Sequence, residues 1–207
     1  MKILVTAGAT WVKIDDVRVI TNIFTGRTGL ALAEHFKKRK HKVTLLINPA
    51  RISRQELKGF TVVPYFYYDE FKREVESQLK NKQFDLIVHT AAVSDYKLKK
   101  SYSGKISSGK KKFSLDFKPT EKIVKIIRKL ARTSILVQFK LEPTAKGLID
   151  KAYLSLKQNN ADYVVANALS DLSHGYKSYI IDKDKKIKVL NSKAALARFL
   201  SEKSSFL

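Results

Sequence analysis

The stretch Val5–Gly29, VTAGATWVKIDDVRVITNIFTGRTG, decides the fold. It begins as an apolar strand running into a small-residue loop, the opening of a nucleotide-binding α/β unit. A dinucleotide-binding turn packs its glycines as G-x-G-x-x-G and enters a helix at once. Here Gly8 is separated from Gly26 and Gly29 by a long loop, far beyond an ordinary strand-to-helix connection. The start is therefore Rossmann-like, with a loop that must have a second task.

Working outward, short β-branched apolar runs alternate with amphipathic stretches, the pattern of a mainly parallel sheet flanked by helices. KILVTA is the first strand, and GLALAEHFKKRK a helix whose basic residues gather at its C-terminal end, where they complement the helix dipole. KVTLLIN and FTVVPYF read as strands, DEFKREVESQLKN as a helix and FDLIVHTAA as a buried strand. Beyond Ala92 the regularity breaks. VSDYKLKKSYSGKISSGKKKFSLDF is rich in Lys, Gly and Ser before it resumes as an alternating strand at FSLDF, an excursion from the sheet. The expected elements after it are a helix capped by Thr120 (TEKIVKIIRKLA), a strand (ILVQFKLE), a helix (GLIDKAYLSLKQNN) and a strand (DYVVANAL). A hairpin over YKSYIIDKDKKIKVL and a final helix, SKAALARFLSEK, complete the chain. Neither an internal repeat nor a linker divides it. The expectation is one α/β domain over residues 1–207, Rossmann-like, with a lysine-rich flap at about 94–118 and a C-terminal hairpin plus helix.

Composition narrows the chemistry. The chain of 207 residues has no Cys, which removes disulfides, thiolate metal sites and Cys nucleophiles. Its four His, at positions 35, 41, 89 and 174, show no metal-ligand spacing, and His89 reads as a packed core residue. Neither G-x-x-x-x-G-K-[ST] nor G-x-S-x-G occurs, which moves P-loop kinases and α/β hydrolases out of first place. No apolar run approaches a membrane span and no secretory segment is visible, so a cytoplasmic protein with no membrane partner is expected. Lys and Arg number 41 against 19 acids, for a net charge of +22, a field that attracts anions of every kind. The cations are spread over HFKKRKHK, KLKKSYSGKISSGKKK and KDKKIKVL, with no RNA-binding signature. That distribution favours solvated faces and small anionic ligands over nucleic acid.

Ligands in an open α/β sheet sit at the carboxyl ends of the strands. Three loops are picked out: the one after the first strand with Thr6, Gly8, Thr10, Asp15, Arg18, Asn22, Thr25 and Gly26; the one with Ser94, Asp95 and Lys105; and the one opening at Asn167. NIFTGRTG ends at a helix start, where backbone N–H groups suit a phosphate or carboxylate. Asn22 either gives a directional hydrogen bond to a reacting carbonyl or satisfies its own turn. Arg18 either forks an anion or is a surface residue. Asp95 suits ribose hydroxyls or a turn cap, and Lys105 could reach a triphosphate. Two other readings stay open on these residues. One is an NAD(P)-dependent Rossmann oxidoreductase, weakened by the missing glycine fingerprint and Tyr-x-x-x-Lys pair. The other is a basic nucleic-acid-binding module.

The motifs TAGAT, IDDVRVITNIFTGRTG, AAVSDY, KISS, FKLE and ADYVVAN, in this order, resemble those of the phosphopantothenate–cysteine ligases, or phosphopantothenoylcysteine synthetases, of coenzyme A biosynthesis. The resemblance spans nearly the whole chain and points to the standalone bacterial form, without a flavin-containing decarboxylase domain. It implies a ligase joining L-cysteine to 4′-phosphopantothenate through an acyl-nucleotide, at the expense of CTP or, alternatively, ATP, with Mg2+. It also implies a homodimer with shared sites. By motif, Asn22 holds the acyl-nucleotide, Arg18 reaches substrate across subunits, and Lys105 faces the triphosphate. Gly8, Thr10 and Gly26 belong to the nucleotide-binding start, Ala91, Ala92 and Asp95 to the nucleotide turn. Phe139 is a nucleotide-pocket aromatic and Asn167 lies in VAN. The excursion becomes a flap that excludes water from the anhydride. Departures are KISS in place of K-x-K-K, leaving Lys110 to Lys112 for phosphate contacts, Ala168 in place of Asp, and Pro143 in place of Thr. Lys151 and Lys157 stand in for the lysines that some relatives use to bind CTP.

Overall fold

The structure, a computed structural model, describes residues 1–109, 111–172 and 175–203. Lys110 and His174 lie outside the described residues. In chain order the elements are β1 (Lys2–Ala7), β2 (Trp11–Lys13), β3 (Val19–Thr21), α1 (Arg27–Lys38), β4 (Lys42–Ile47), β5 (Thr61–Pro64), α2 (Tyr68–Asn81), β6 (Leu86–His89), β7 (Tyr96–Leu98) and β8 (Phe117–Pro119). They continue with α3 (Ile123–Leu130), β9 (Ile135–Glu142), α4 (Leu148–Asn159), β10 (Tyr163–Ala168), α5 (Leu169–Leu172), β11 (Ser178–Asp182), β12 (Ile187–Leu190) and α6 (Lys193–Lys203).

Eight strands form one sheet in the order β12-β11-β10-β9-β6-β1-β4-β5. Six are parallel, and the antiparallel pair β11 and β12 closes one edge. The apolar runs explain the arrangement, because a parallel strand is covered on both faces and cannot alternate cleanly. In β1 every residue after Lys2 is buried. On one face, Phe71 and Val75 of α2, Ile127 of α3 and Leu156 of α4 pack over Leu4, Ile87, Leu136 and Val164. On the other, Leu32 and Phe36 of α1 and Leu196 and Leu200 of α6 pack over Ile3, Val5, Leu45 and Ile47. Glu70 starts α2 by accepting the N–H groups of Phe66 and Tyr67. This Rossmann-like architecture is the expected one, hairpin and last helix included.

Differences concentrate at the carboxyl ends of the strands. The long loop after β1 is structured as the β2–β3 hairpin. The excursion is rooted in a two-stranded ribbon, β7 with β8. FSLDF, expected to be a strand, contributes only Phe117 to it. Thr120 does not cap α3, whose N-cap is Lys122. Its hydroxyl donates instead to the Ser94 carbonyl at 2.7 Å, tying the root of the ribbon to the loop after β6. No helix among the described residues is long and apolar enough to cross a membrane.

Candidate functional site

The three glycines of the opening stretch meet although the sequence separates them. Gly8 and Gly26 both have positive φ, 87° and 85°, backbone that only Gly adopts without strain. A Cβ on Gly26 would lie 2.8 Å from the Gly8 nitrogen, and one on Gly29 would lie 2.6 Å from the Ala7 Cβ and 2.5 Å from the Thr90 Oγ1. Turn, close backbone approach and helix-to-strand packing are the three jobs of the dinucleotide fingerprint. They are done here with the hairpin spliced between the first glycine and the second. Spacing alone hid this. Gly26 caps α1, so the N–H groups of its first turn point outward without intrahelical partners, at the positive end of the helix dipole.

Two adjoining cavities open at this end of the sheet. The smaller, about 230 Å3, is lined by Gly8, Gly26, Thr28, Ala91, Ala92, Phe139, Asn167 and Tyr176 among others. The larger, about 690 Å3, lies between α3 and α4 and is lined by Asn22, His89, Ala91, Asp95, Lys122, Gln138, Phe139, Lys140, Glu142 and Lys151 among others. Ala91 and Phe139 border both.

The expected residues fall into three groups. Asn22, exposed, donates Nδ2–H to the Ala92 carbonyl at 3.2 Å, while Ala92 N–H reaches the Gly8 carbonyl at 2.9 Å. Asn22, Ala91, Ala92, Gly8 and Gly26 are thus one cluster. Asp95 and Phe139 join it along the larger cavity, although Asp95 is paired with Lys122 at 2.6 Å. Asn167, buried, donates to the Lys177 carbonyl at 2.7 Å and lines the smaller cavity. The second group supports the first. Thr10 is fully buried, its hydroxyl bonded to Ser94 through side chain and backbone, and it lines neither cavity.

Arg18 and Lys105 make the third group, beside the hairpin and away from the cavities. Asp15, 1% exposed, accepts the N–H groups of Val17, Arg18 and Ile106. Asp16 accepts that of Gly104. Arg18 lies 3.3 Å from Asp15 and donates to the Ile106 carbonyl. Burial pushes the Asp15 carboxyl up, and the bonds from Ile106, Val17 and Arg18 outweigh it, leaving the pKa below its usual value. Lys105 is exposed at this junction. The lysine-rich segment is therefore latched to the hairpin by Asp15 and Asp16.

At the mouth of the larger cavity Glu142 pairs with Lys151 at 2.7 Å and Lys140 at 3.0 Å, which holds its carboxyl below the usual range, Lys151 first. Lys151 thus lines the cavity, whereas Lys157, Lys111 and Lys112 are exposed and line neither. His89 is neutral, its pKa pushed down to about 4 by burial. Its Nδ1 lies 2.8 Å from the Thr6 hydroxyl and its ring stacks on Phe71. His89 and Gln138 were not among the expected site residues. The signal available for Gln138 was a polar residue inside the apolar run ILVQF.

A model of the DNA/pantothenate metabolism flavoprotein C-terminal domain family matches residues 1–205. The chain belongs to this family. Among its relatives is the coenzyme A biosynthesis bifunctional protein CoaBC of Thermococcus kodakarensis, 36% identical over 173 residues, covering 81% of this chain and 41% of the relative. The chain thus spans less than half of that bifunctional protein. A crystal structure of the DNA/pantothenate metabolism flavoprotein from Streptococcus pneumoniae superposes with a TM-score of 0.88 at 27% identity, covering 99% of this chain and 98% of that one. A Cab2 variant in complex with phosphopantothenate-cysteine shares the fold, with a TM-score of 0.84 at 18% identity over 99% of this chain and 86% of that one.

Proposed function

We propose that this member of the family is a phosphopantothenate–cysteine ligase, acting as one unit over residues 1–207 and as a homodimer. The observation that carries the reading is the convergence of Asn22 from the loop after β3, Ala91 and Asp95 from the loop after β6, and Phe139 from β9 around one cavity. The motif resemblance calls for those residues together.

A carboxylate is a poor electrophile, so the ligation runs in two steps. The carboxylate of 4′-phosphopantothenate attacks the α-phosphate of CTP, forming an acyl–phosphate bond as the bond to pyrophosphate breaks. The amine of L-cysteine then attacks the acyl carbon, the nucleoside monophosphate leaves and a proton is released. Asn22 is the donor for the acyl oxygen, its Nδ2 turning from the Ala92 carbonyl, where it now bonds, to the substrate. Phe139 stacks the nucleotide, Asp95 takes base or ribose hydroxyls, and Gly8, Gly26, Ala92 and Asn167 shape the neighbouring subsite. Lys105 reaches the triphosphate when the flap closes from its latch, and Arg18 serves the partner's site.

Among the described residues no group of three or more His, Asp or Glu could hold a metal ion. In the ligase reading Mg2+ would enter as the counter-ion of the nucleotide phosphates. The deciding assay supplies the protein with phosphopantothenate, L-cysteine, Mg2+ and either CTP or ATP. Pyrophosphate release that depends on phosphopantothenate is expected, and no release with either nucleotide refutes the ligase.

A further inference from the structure

A third cavity, about 180 Å3, lies between the base of the β2–β3 hairpin and the turn that follows β4. Asn22 lines both this cavity and the larger one, while Gly8, Phe24 and Thr25 are shared with the smaller. Asn22 thus stands between the larger cavity and the third. The turn after β4 is fixed against the site by Asn48, 5% exposed, which donates Nδ2–H to the Ala9 carbonyl at 2.7 Å and accepts the Ala50 N–H at 3.0 Å. That holds Pro49–Arg51 at the cavity's edge. From there Arg51 reaches the opposite wall, its Nη1 3.5 Å from the carbonyl of Ile23, between Asn22 and Phe24. At that length the bond is weak. No acid among the described residues pairs with Arg51, whereas Arg27 is paired with Glu56. Arg51 is also the one charged residue among those that line the cavity.

We infer that Arg51 is a specificity-determining residue that pairs with the phosphate monoester of 4′-phosphopantothenate. In the acyl-nucleotide the acyl carbon joins two halves, and Asn22 holds the joint. With the nucleotide half in the larger cavity, the pantothenate half leaves Asn22 on its other side, toward the cavity that Arg51 spans. Trp11, Val19 and Phe24 line that cavity and supply apolar surface for the paired methyl groups beside the phosphate. The outer end of the substrate is a dianion, and a guanidinium presents parallel N–H groups that fit two phosphate oxygens at once. Releasing the Ile23 carbonyl costs little, because Arg51 is exposed and water takes its place. The inference rests on the ligase reading, with its nucleotide in the larger cavity.

Calorimetric titration with 4′-phosphopantothenate and with pantothenate, which lacks the phosphate, tests it. EDTA and CTP are present, so that the nucleotide site is filled and no turnover disturbs the heats. The expected result is wild-type protein binding phosphopantothenate at least about tenfold more tightly than pantothenate. Arg51→Gln should weaken phosphopantothenate by about tenfold to a hundredfold, leave pantothenate unchanged and bring the ratio near one. Arg51→Lys, which keeps the charge and loses the fork, should fall between the two, and it carries the test if the melting transition shows Arg51→Gln unfolded. In turnover the loss should fall on the KM for phosphopantothenate, with the KM for CTP as the control. Equal wild-type affinities, no binding of phosphopantothenate, or an unchanged ratio in the folded variants overturn the inference. Absence of pyrophosphate release from the wild type with Mg2+ refutes the ligase instead, and the titration ratios still judge Arg51.

Discussion

Gly29→Ala tests the spliced glycine cradle at its tightest point. The added methyl would lie 2.6 Å from the Ala7 Cβ and 2.5 Å from the Thr90 Oγ1, where carbon atoms normally stand about 3.5–4.0 Å apart. The Ala7 methyl is fixed to β1 and cannot rotate away, so the first turn of α1 must retreat by about 1 Å. Thr90 must also give up its 2.7 Å bond to the Thr6 carbonyl, worth about 1 kcal/mol. Against this, Ala is favoured over Gly in a helix by about 1 kcal/mol, which offsets the lost bond. What remains is the overpacking cost, about 1–3 kcal/mol. For a chain of this size that lowers Tm by about 2–12 °C, readable by calorimetry. The retreat also shifts the outward N–H groups of Thr28 and Gly29, so, if the ligase reading holds, the KM for nucleotide or phosphopantothenate should rise. A variant as stable as wild type or more so, the ordinary result of Gly→Ala in a helix, would refute the steric argument.

Three other perturbations probe separate parts of the site. Asn22→Asp replaces the donor that faces the Ala92 carbonyl with a negative acceptor, and turnover should fall by about 10²–10³ while a single-turnover burst of pyrophosphate persists; wild-type turnover removes Asn22 from the mechanism. Asp15→Asn removes the charge that gathers the N–H groups of Val17, Arg18 and Ile106, and limited proteolysis should then cut residues 100–112 faster; unchanged cleavage would show that the latch does not hold the flap. His89 gives a pH test, because its folded pKa of about 4 lies below the unfolded value of about 6.5. The unfolded chain then binds more protons between those values, so stability rises with pH across pH 4 to 6.5, by about 3 kcal/mol from this group. His35 and His41, also lowered by burial first, act in the same sense. In His89→Gln the slope over that window should flatten, and urea titrations at pH 4.5 and 7 measure it.

The sheet was legible from sequence because each parallel strand must be apolar on both faces, and runs such as KILVTA and ILVQF can be little else. Local signals placed the long helices, down to the basic last turn of α1, but not the start of α3, which begins at Ile123 and not after a Thr120 cap, nor the short α5. The cradle was not legible in the same way. G-x-G-x-x-G is a spacing rule for a turn made by consecutive residues, whereas the need it serves is steric: backbone against backbone and helix against strand. Gly26 meets that need by approaching Gly8 in space, and the chain between them is free to form β2 and β3. The same distinction explains the flap. Asp15 and Asp16 look like ordinary loop acids until Gly104 and Ile106 are brought to them by the β7–β8 ribbon.

Gln138 shows where such hidden contacts leave a trace. Burial in an inner strand costs an amide its water, and the cost is recovered only if partners are supplied. A Gln between Val137 and Phe139 in a strand covered on both faces therefore demands polar company from a neighbouring element, here Ser155 and Asn159 one turn apart on α4. The demand can be read from the strand, but the partners need the fold. Replacing the Gln138 amide alone with an apolar side chain would leave the Ser155 hydroxyl and the Asn159 amide short of a partner, and that desolvation cost, more than the net worth of the bonds, holds the three residues together.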